Sequence, residues 1–173
     1  MIRPPPDKEV EKFFDGFKIL DAKPTPKDLA APPDWREYKR KGSGFRALMP
    51  PNAHELKVEL KNETTTSVTK DEGSDGDGDT KFTVITVRFV AGTPEAERVR
   101  SLKTLAAAGS KPANVKWGGR DAEEMSFALP WARVVRLTQN DTTGYAAIVQ
   151  GGSTIPDPLR TRLFLDSFVF DKE

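Results

Sequence analysis

Two turn sequences restrict this chain more than any other feature. Asn114-Val-Lys-Trp117 and Ala122-Glu-Glu-Met-Ser-Phe127 flank Gly118-Gly-Arg-Asp121, while Arg133-Val-Val-Arg-Leu-Thr138 and Tyr145-Ala-Ala-Ile-Val149 flank Gln139-Asn-Asp-Thr-Thr-Gly144. Glycine, Asn and Asp accept turn geometries that other residues resist, so β-prone runs on either side of them close into hairpins. Consecutive antiparallel strands are therefore expected over the second half of the chain. Upstream, Lys81-Phe-Thr-Val-Ile-Thr-Val-Arg-Phe-Val90 is the strongest strand sequence, rich in β-branched and aromatic residues. Phe45, Ala47 and Met49 alternate with Arg46 and Leu48 as in a half-buried strand that Pro50 and Pro51 stop. Leu56, Val58 and Leu60 alternate with Lys57 and Glu59, which predicts a second strand with its three apolar residues facing in. The polar stretch 61–80, ending in Asp-Glu-Gly-Ser-Asp-Gly-Asp-Gly-Asp-Thr, reads as a long exposed and flexible acidic loop.

Two helices interrupt this pattern. Thr93 as N-cap, Pro94 at the first helical position and the carboxylates Glu95 and Glu97 start one. Ala96, Val99, Leu102, Leu105 and Ala106 give it one apolar face for the sheet, and Gly109 supplies a stop. Asp157-Pro158 opens the second, which runs through Asp166 into a strand Phe168-Val-Phe170. Strands outnumber helices, and the helices stand at the ends of a meander. The class is α+β, a central antiparallel sheet flanked by helices.

The closing run Leu163-Phe-Leu-Asp-Ser-Phe-Val-Phe170 has an echo near the start, Lys12-Phe-Phe-Asp-Gly-Phe-Lys-Ile19, when Asp15 is set on Asp166. A spacing of about one domain suggests a repeated unit. Between the copies, Pro24, Pro26, Pro32 and Pro33 make a proline-rich stretch unsuited to regular structure. The expected organisation is a helix–strand at 1–20, a linker with a basic-aromatic lead-in at 21–43, and one α+β domain at 44–173. Residues 1–20 are the end of a preceding module or an added edge element of the same sheet. With 173 residues, one well-buried core is the natural number.

Charge excludes some function classes. Lys and Arg total 27 against 26 Asp and Glu, so no global field steers a nucleic acid. No apolar run approaches the roughly 20 residues of a membrane span, so a soluble segment without membrane insertion is expected. The lack of cysteine removes disulfides and sulfur-ligated metals and leaves cytoplasmic and extracytoplasmic locations both open.

Local motifs for chemistry fail on spacing. Asp75, Asp77 and Asp79 fit the first ligands of a calcium loop, but Thr80 stands where glycine is needed and Thr86 where a bidentate glutamate is needed. They remain weak metal candidates beside the plainer reading of a solvated hairpin loop. Glu123 and Glu124, as neighbours on a strand, point to opposite faces and cannot work as an acid–base pair. His54 is the sole histidine, at a strand entry, and reads as an exposed loop residue. No catalytic set and no cofactor are expected. Weak partner-binding candidates are Trp35, Arg36, Tyr38 and Arg40, which interleave aromatics with positive charge, together with Trp117, Arg120 and Trp131.

Gly44-Phe-Arg-Ala-Leu-Met-Pro50 at the start, Gly119-Arg-Asp-Ala-Glu-Glu-Met125, Gly144-Tyr-Ala-Ala-Ile-Val149 and Phe164-Leu-Asp-Ser-Phe168 resemble, in this order, the PsbP/Mog1-like superfamily. The resemblance covers 44–170 and implies an α/β/α sandwich without an active site. It implies a non-catalytic binding or scaffolding module, one unit of a larger bacterial protein, in contact with another protein or a neighbouring domain. The alternative is an accessory domain that binds a ligand or calcium through the acidic loop or the sheet face.

Overall fold

The computed structural model describes residues 34–60, 62–76, 78–107, 111–127, 132–152 and 156–171. The expected helix–strand of 1–20 and the linker up to residue 33 lie outside them. Among the described residues ten strands and two helices run in the order β1 Arg36–Tyr38, β2 Phe45–Met49, β3 His54–Val58, β4 Thr65–Ser74, β5 Thr80–Phe89, α1 Glu95–Leu105, β6 Ala113–Trp117, β7 Arg120–Phe127, β8 Arg133–Gln139, β9 Thr143–Gly151, α2 Pro158–Asp166 and β10 Val169–Phe170. A seven-stranded sheet has the order β3-β4-β5-β9-β8-β7-β6, and a three-stranded one the order β1-β2-β10. Every pairing is antiparallel.

The sheet is centred on β5 and β9, its two long strands that are buried on both faces along most of their length. Strand alternation sends Phe82, Val84, Tyr145, Ala147 and Val149 to one face and Ile85, Val87, Phe89, Ala146 and Ile148 to the other. The second face is covered by α1, whose Leu102 is 2% exposed. Burial of that one side chain contributes about 1.5–3 kcal/mol before entropy. The first face is covered by α2 together with the small sheet, through Phe45, Met49, Phe164 and Phe168. The antiparallel α+β class and its layered form are thus present, with one outer layer shared between a helix and three short strands.

Asp157 caps α2 by accepting from the backbone N–H of Leu159 at 2.7 Å and Arg160 at 3.2 Å. At the other end the Ser167 hydroxyl donates to Phe164 O at 2.7 Å and accepts from Leu48 N at 2.8 Å, which ties the helix to β2. Trp117 Nε1 donates to Leu165 O at 2.7 Å from the far edge of the sheet.

Five expectations need correction. Residues 65–74 are a ten-residue strand inside the sheet, not loop. Pairing on both sides with β3 and β5 supplies what local propensity lacks, and its charged residues find ionic partners. Leu56, Val58 and Leu60 are not buried but 36%, 38% and 38% exposed. Leu56 and Val58 do share the α1 face, opposite Lys70 and Val68, but α1 lies over β5, β8 and β9 and stops short of β3. Helix α1 starts at Glu95 with no side-chain cap, because the Thr93 hydroxyl donates to Val90 O at 2.7 Å. It ends at Leu105, before the expected glycine stop, and Ala107 follows with a φ of 46°. The domain also begins before residue 44, since Trp35 is in the core and β1 pairs with β2.

Candidate interaction surface

The basic-aromatic segment before β2 is divided between core and lock. Trp35 is 7% exposed and meets the Phe82 ring edge-on at 4.8 Å. Tyr38 and Arg40 close on Asp71 of β4, whose side chain has no exposure. Tyr38 Oη donates to Asp71 Oδ1 at 2.7 Å, Arg40 Nε to the same oxygen at 2.9 Å, and Arg40 Nη2 to Oδ2 at 3.3 Å. Burial and then the Asp71 carboxylate push the Tyr38 hydroxyl well above the usual tyrosine range. The hydrogen bond to Asp71 likewise raises the Arg40 guanidinium, against its partial burial. Of this segment's candidates only Arg36 points to solvent.

Trp117 is 1% exposed and packs on Phe168 and Phe170, so its place is in the core and not on a contact surface. Arg120 lies over the Phe170 ring at 4.7 Å and the Tyr145 ring at 5.8 Å, serving the same cluster. Trp131 lies outside the described residues, as does Asp77. Asp75 is 9% exposed and pairs with Arg160 of α2 at 3.0 Å. Asp79 sits in the β4–β5 turn, where its carbonyl accepts from Gly152 N at 2.6 Å. His54 opens β3 as an exposed residue.

Glu123 and Glu124 do face opposite ways. Glu123 pairs with Lys103 of α1 at 2.6 Å. Glu124 pairs with Arg136, which is 2% exposed and reaches Asp166 at the end of α2 at 2.6 Å. These carboxylates hold the two helices to the sheet.

An open surface lies where α1 leaves the sheet uncovered. A groove of about 460 Å³ has a floor of Val68, Ile85 and Ile148 and a wall of Leu105 and Ala106 at the end of α1, and it opens toward Val58 of β3. Its rim carries Lys70, Glu72, Lys81 and Arg133. Glu72 lies between Lys70 at 2.6 Å and Lys81 at 3.8 Å. Burial raises its carboxyl, but the hydrogen bond and charge of Lys70, with Lys81 and Thr83, more than offset this and hold it below the usual range. Arg133 donates to Ala107 O at 2.7 Å, capping the negative end of α1, and covers the Phe127 ring at 4.9 Å. Three cations against one carboxylate give the rim a positive balance over an apolar floor. None of these residues stands out in the sequence. The signal available there is the β-branched run Thr65-Thr66-Ser67-Val68-Thr69, which marks 65–74 as strand and so places Lys70 and Glu72 beside Val68 on one face.

No family model matches this sequence, and no curated protein matches it. Among solved structures, the solution structure of cyanobacterial PsbP (CyanoP) from Synechocystis sp. PCC 6803 matches with a TM-score of 0.51 and 13% identity, covering 82% of this chain and 95% of that one. A crystal structure from Bacteroides thetaiotaomicron VPI-5482 matches with a TM-score of 0.49 and 12% identity, covering 81% of this chain and 50% of that one. The chain spans half the length of the latter protein. The fold is PsbP-like. The Mog1 side of the expected resemblance is not shown.

Proposed function

We propose that this chain is a non-catalytic binding or scaffolding module, one unit of a larger bacterial protein, and that it meets a protein partner at the groove between α1 and β3. The observation that carries the reading is the groove itself. It is an apolar strip of sheet left open beside a helix end and rimmed by three cations. Its shape and charge fit an extended segment with an apolar side chain flanked by carboxylates. Most of the protein's other close ionic contacts fasten its own elements together, with Asp71 holding β1, Arg136 holding α2 and Glu123 holding α1. Among the described residues no helix is long and apolar enough to cross a membrane.

The test is a charge reversal of the rim. Lys70→Glu/Lys81→Glu is compared with Lys116→Glu at the far edge of the sheet, both as baits for proteins from the source cell. Partners retained by the wild type and by Lys116→Glu but lost from the rim variant support the reading. An identical set on all three baits contradicts it.

A further inference from the structure

The outer edge of β3 carries a second, separate signal. All five residues His54–Val58 are exposed, and β3 is an end strand of the seven-stranded sheet. Among the described residues, the row of backbone N–H and C=O groups on its outer side has no neighbouring strand. Isolated edges of this kind are normally protected by a charge that spoils pairing. Here the charge is Lys57, but Glu55 stands two residues before it on the same face, with Leu56 between them on the other.

We propose that β3 pairs with β3 of a second copy of this chain, antiparallel and centred on Leu56, joining the two sheets into one. The register follows from charge. In a two-fold antiparallel pair, directly opposed residues share a face, so only residues of the same parity can meet. Centring on Glu55 sets two carboxylates against each other, and centring on Lys57 sets two ammonium groups against each other. Centring on Leu56 gives Glu55 opposite Lys57 twice, Leu56 opposite Leu56, and His54 opposite Val58 twice. Opposite-charge and apolar pairs of this kind are the stabilising cross-strand contacts of sheets. The 38% exposed Val58 and 36% exposed Leu56 lose water in the same step.

The length of the contact sets its strength. Leu60 N donates to Val58 O at 2.9 Å, a tight turn that ends the strand and limits pairing to five residues. Such an interface is well below the roughly 1,600 Å² of a standard stable complex, so the dimer is weak and concentration-dependent. The opposite edge strand β6 has no matching pattern. About Val115 it would place Asn114 against Lys116 and Ala113 against Trp117, with no opposite-charge pair, whereas Glu55 of β3, 3.8 Å from Arg40, keeps 35% side-chain exposure. This pairing goes beyond the groove reading and does not depend on it, because it uses the strand backbone and its charge order.

The test is sedimentation equilibrium of the full chain from about ten micromolar to about one millimolar, a range suited to a small interface. The wild type is expected to rise from 19.1 kDa toward twice that mass. Glu55→Lys and Lys57→Glu each convert both attractive pairs to repulsive ones, and each alone is expected to weaken association by at least about tenfold. An equimolar mixture restores opposite charges at both positions and is expected to associate like the wild type. Leu56→Lys, with like charges on the two-fold, stays monomeric. Circular dichroism on each variant separates loss of pairing from loss of folding. A wild type that stays at monomer mass across the range overturns the proposal, as does a mixture no more associated than its components. If partners are still captured at the groove in either case, the groove reading stands alone.

Discussion

Replacing Asp71 with asparagine removes the charge from the most enclosed carboxylate among the described residues. Its side chain has no exposure, and it accepts three hydrogen bonds from two residues more than thirty positions away. Asparagine keeps the shape and one acceptor, but its amide nitrogen then faces the Arg40 Nη2 donor. Removing one partner of a buried ion pair costs about 3–5 kcal/mol. Arg40 retains 20% side-chain exposure and a second carboxylate, Glu55 at 3.8 Å, which together offset part of the loss. The expected cost is about 2–4 kcal/mol, or a fall in midpoint of about 5–15 °C for a chain of this size. Urea unfolding followed by tryptophan fluorescence measures it, and an unchanged denaturant slope shows that both states are otherwise the same. Tyr38→Phe removes only one neutral donor and should cost about 1–2 kcal/mol. In the double variant the two effects should be less than additive, since both act on one carboxylate. A cost below about 0.5 kcal/mol for Asp71→Asn would show that the Tyr38–Arg40–Asp71 lock does not hold β1 to the sheet.

Three further outcomes follow from the same geometry. Tyr38 and Tyr145 are the two tyrosines of the chain, so ultraviolet absorbance resolves their ionisation. Because the Tyr38 hydroxyl is raised above its unfolded value, its contribution to stability is complete below about pH 10 and is lost as pH rises toward the folded value. Tyr38→Phe should therefore flatten the alkaline limb of the stability curve. Gly44 has a φ of 78° and a Cβ there would strike the Tyr145 hydroxyl, so Gly44→Ala should cost about 1–3 kcal/mol by thermal or urea unfolding. Millimolar calcium should leave the unfolding midpoint unmoved, because Asp75 is engaged by Arg160 at 3.0 Å; a rise that Asp75→Asn abolishes would contradict this.

Strands β6 to β9 were legible because their turns are local: Gly118-Gly119 and Asn140 to Gly144 declare hairpins within a few residues. The helix–strand at the end was legible for the same reason, through Asp157-Pro158 and Ser167-Phe168. Strand β4 was legible only in its first half, through Thr65 to Thr69, since Lys70, Asp71 and Glu72 look solvated until Arg40 and Lys81 are placed beside them. Those contacts are set by the ladder, which no local window contains. The alternation of Leu56 and Val58 was readable, but its coverage was not, because the reach of α1 depends on where Ala107 turns the chain away. The same limit applies to the candidate site. Trp35, Tyr38, Arg40, Trp117 and Arg120 have the composition of a contact surface, and the fold draws them into the core, into the grip on Asp71, or onto aromatic rings. The groove lies on residues that looked like loop or like ordinary strand.

The direct test of the binding module is site-specific photo-crosslinking of the full chain in its source cell. A photoreactive residue is placed at Lys81 on the groove rim, and separately at Lys116 on the far edge. A contact at the groove predicts a discrete protein adduct from position 81 and none from position 116. Equal labelling at both positions, or none at 81, would contradict it.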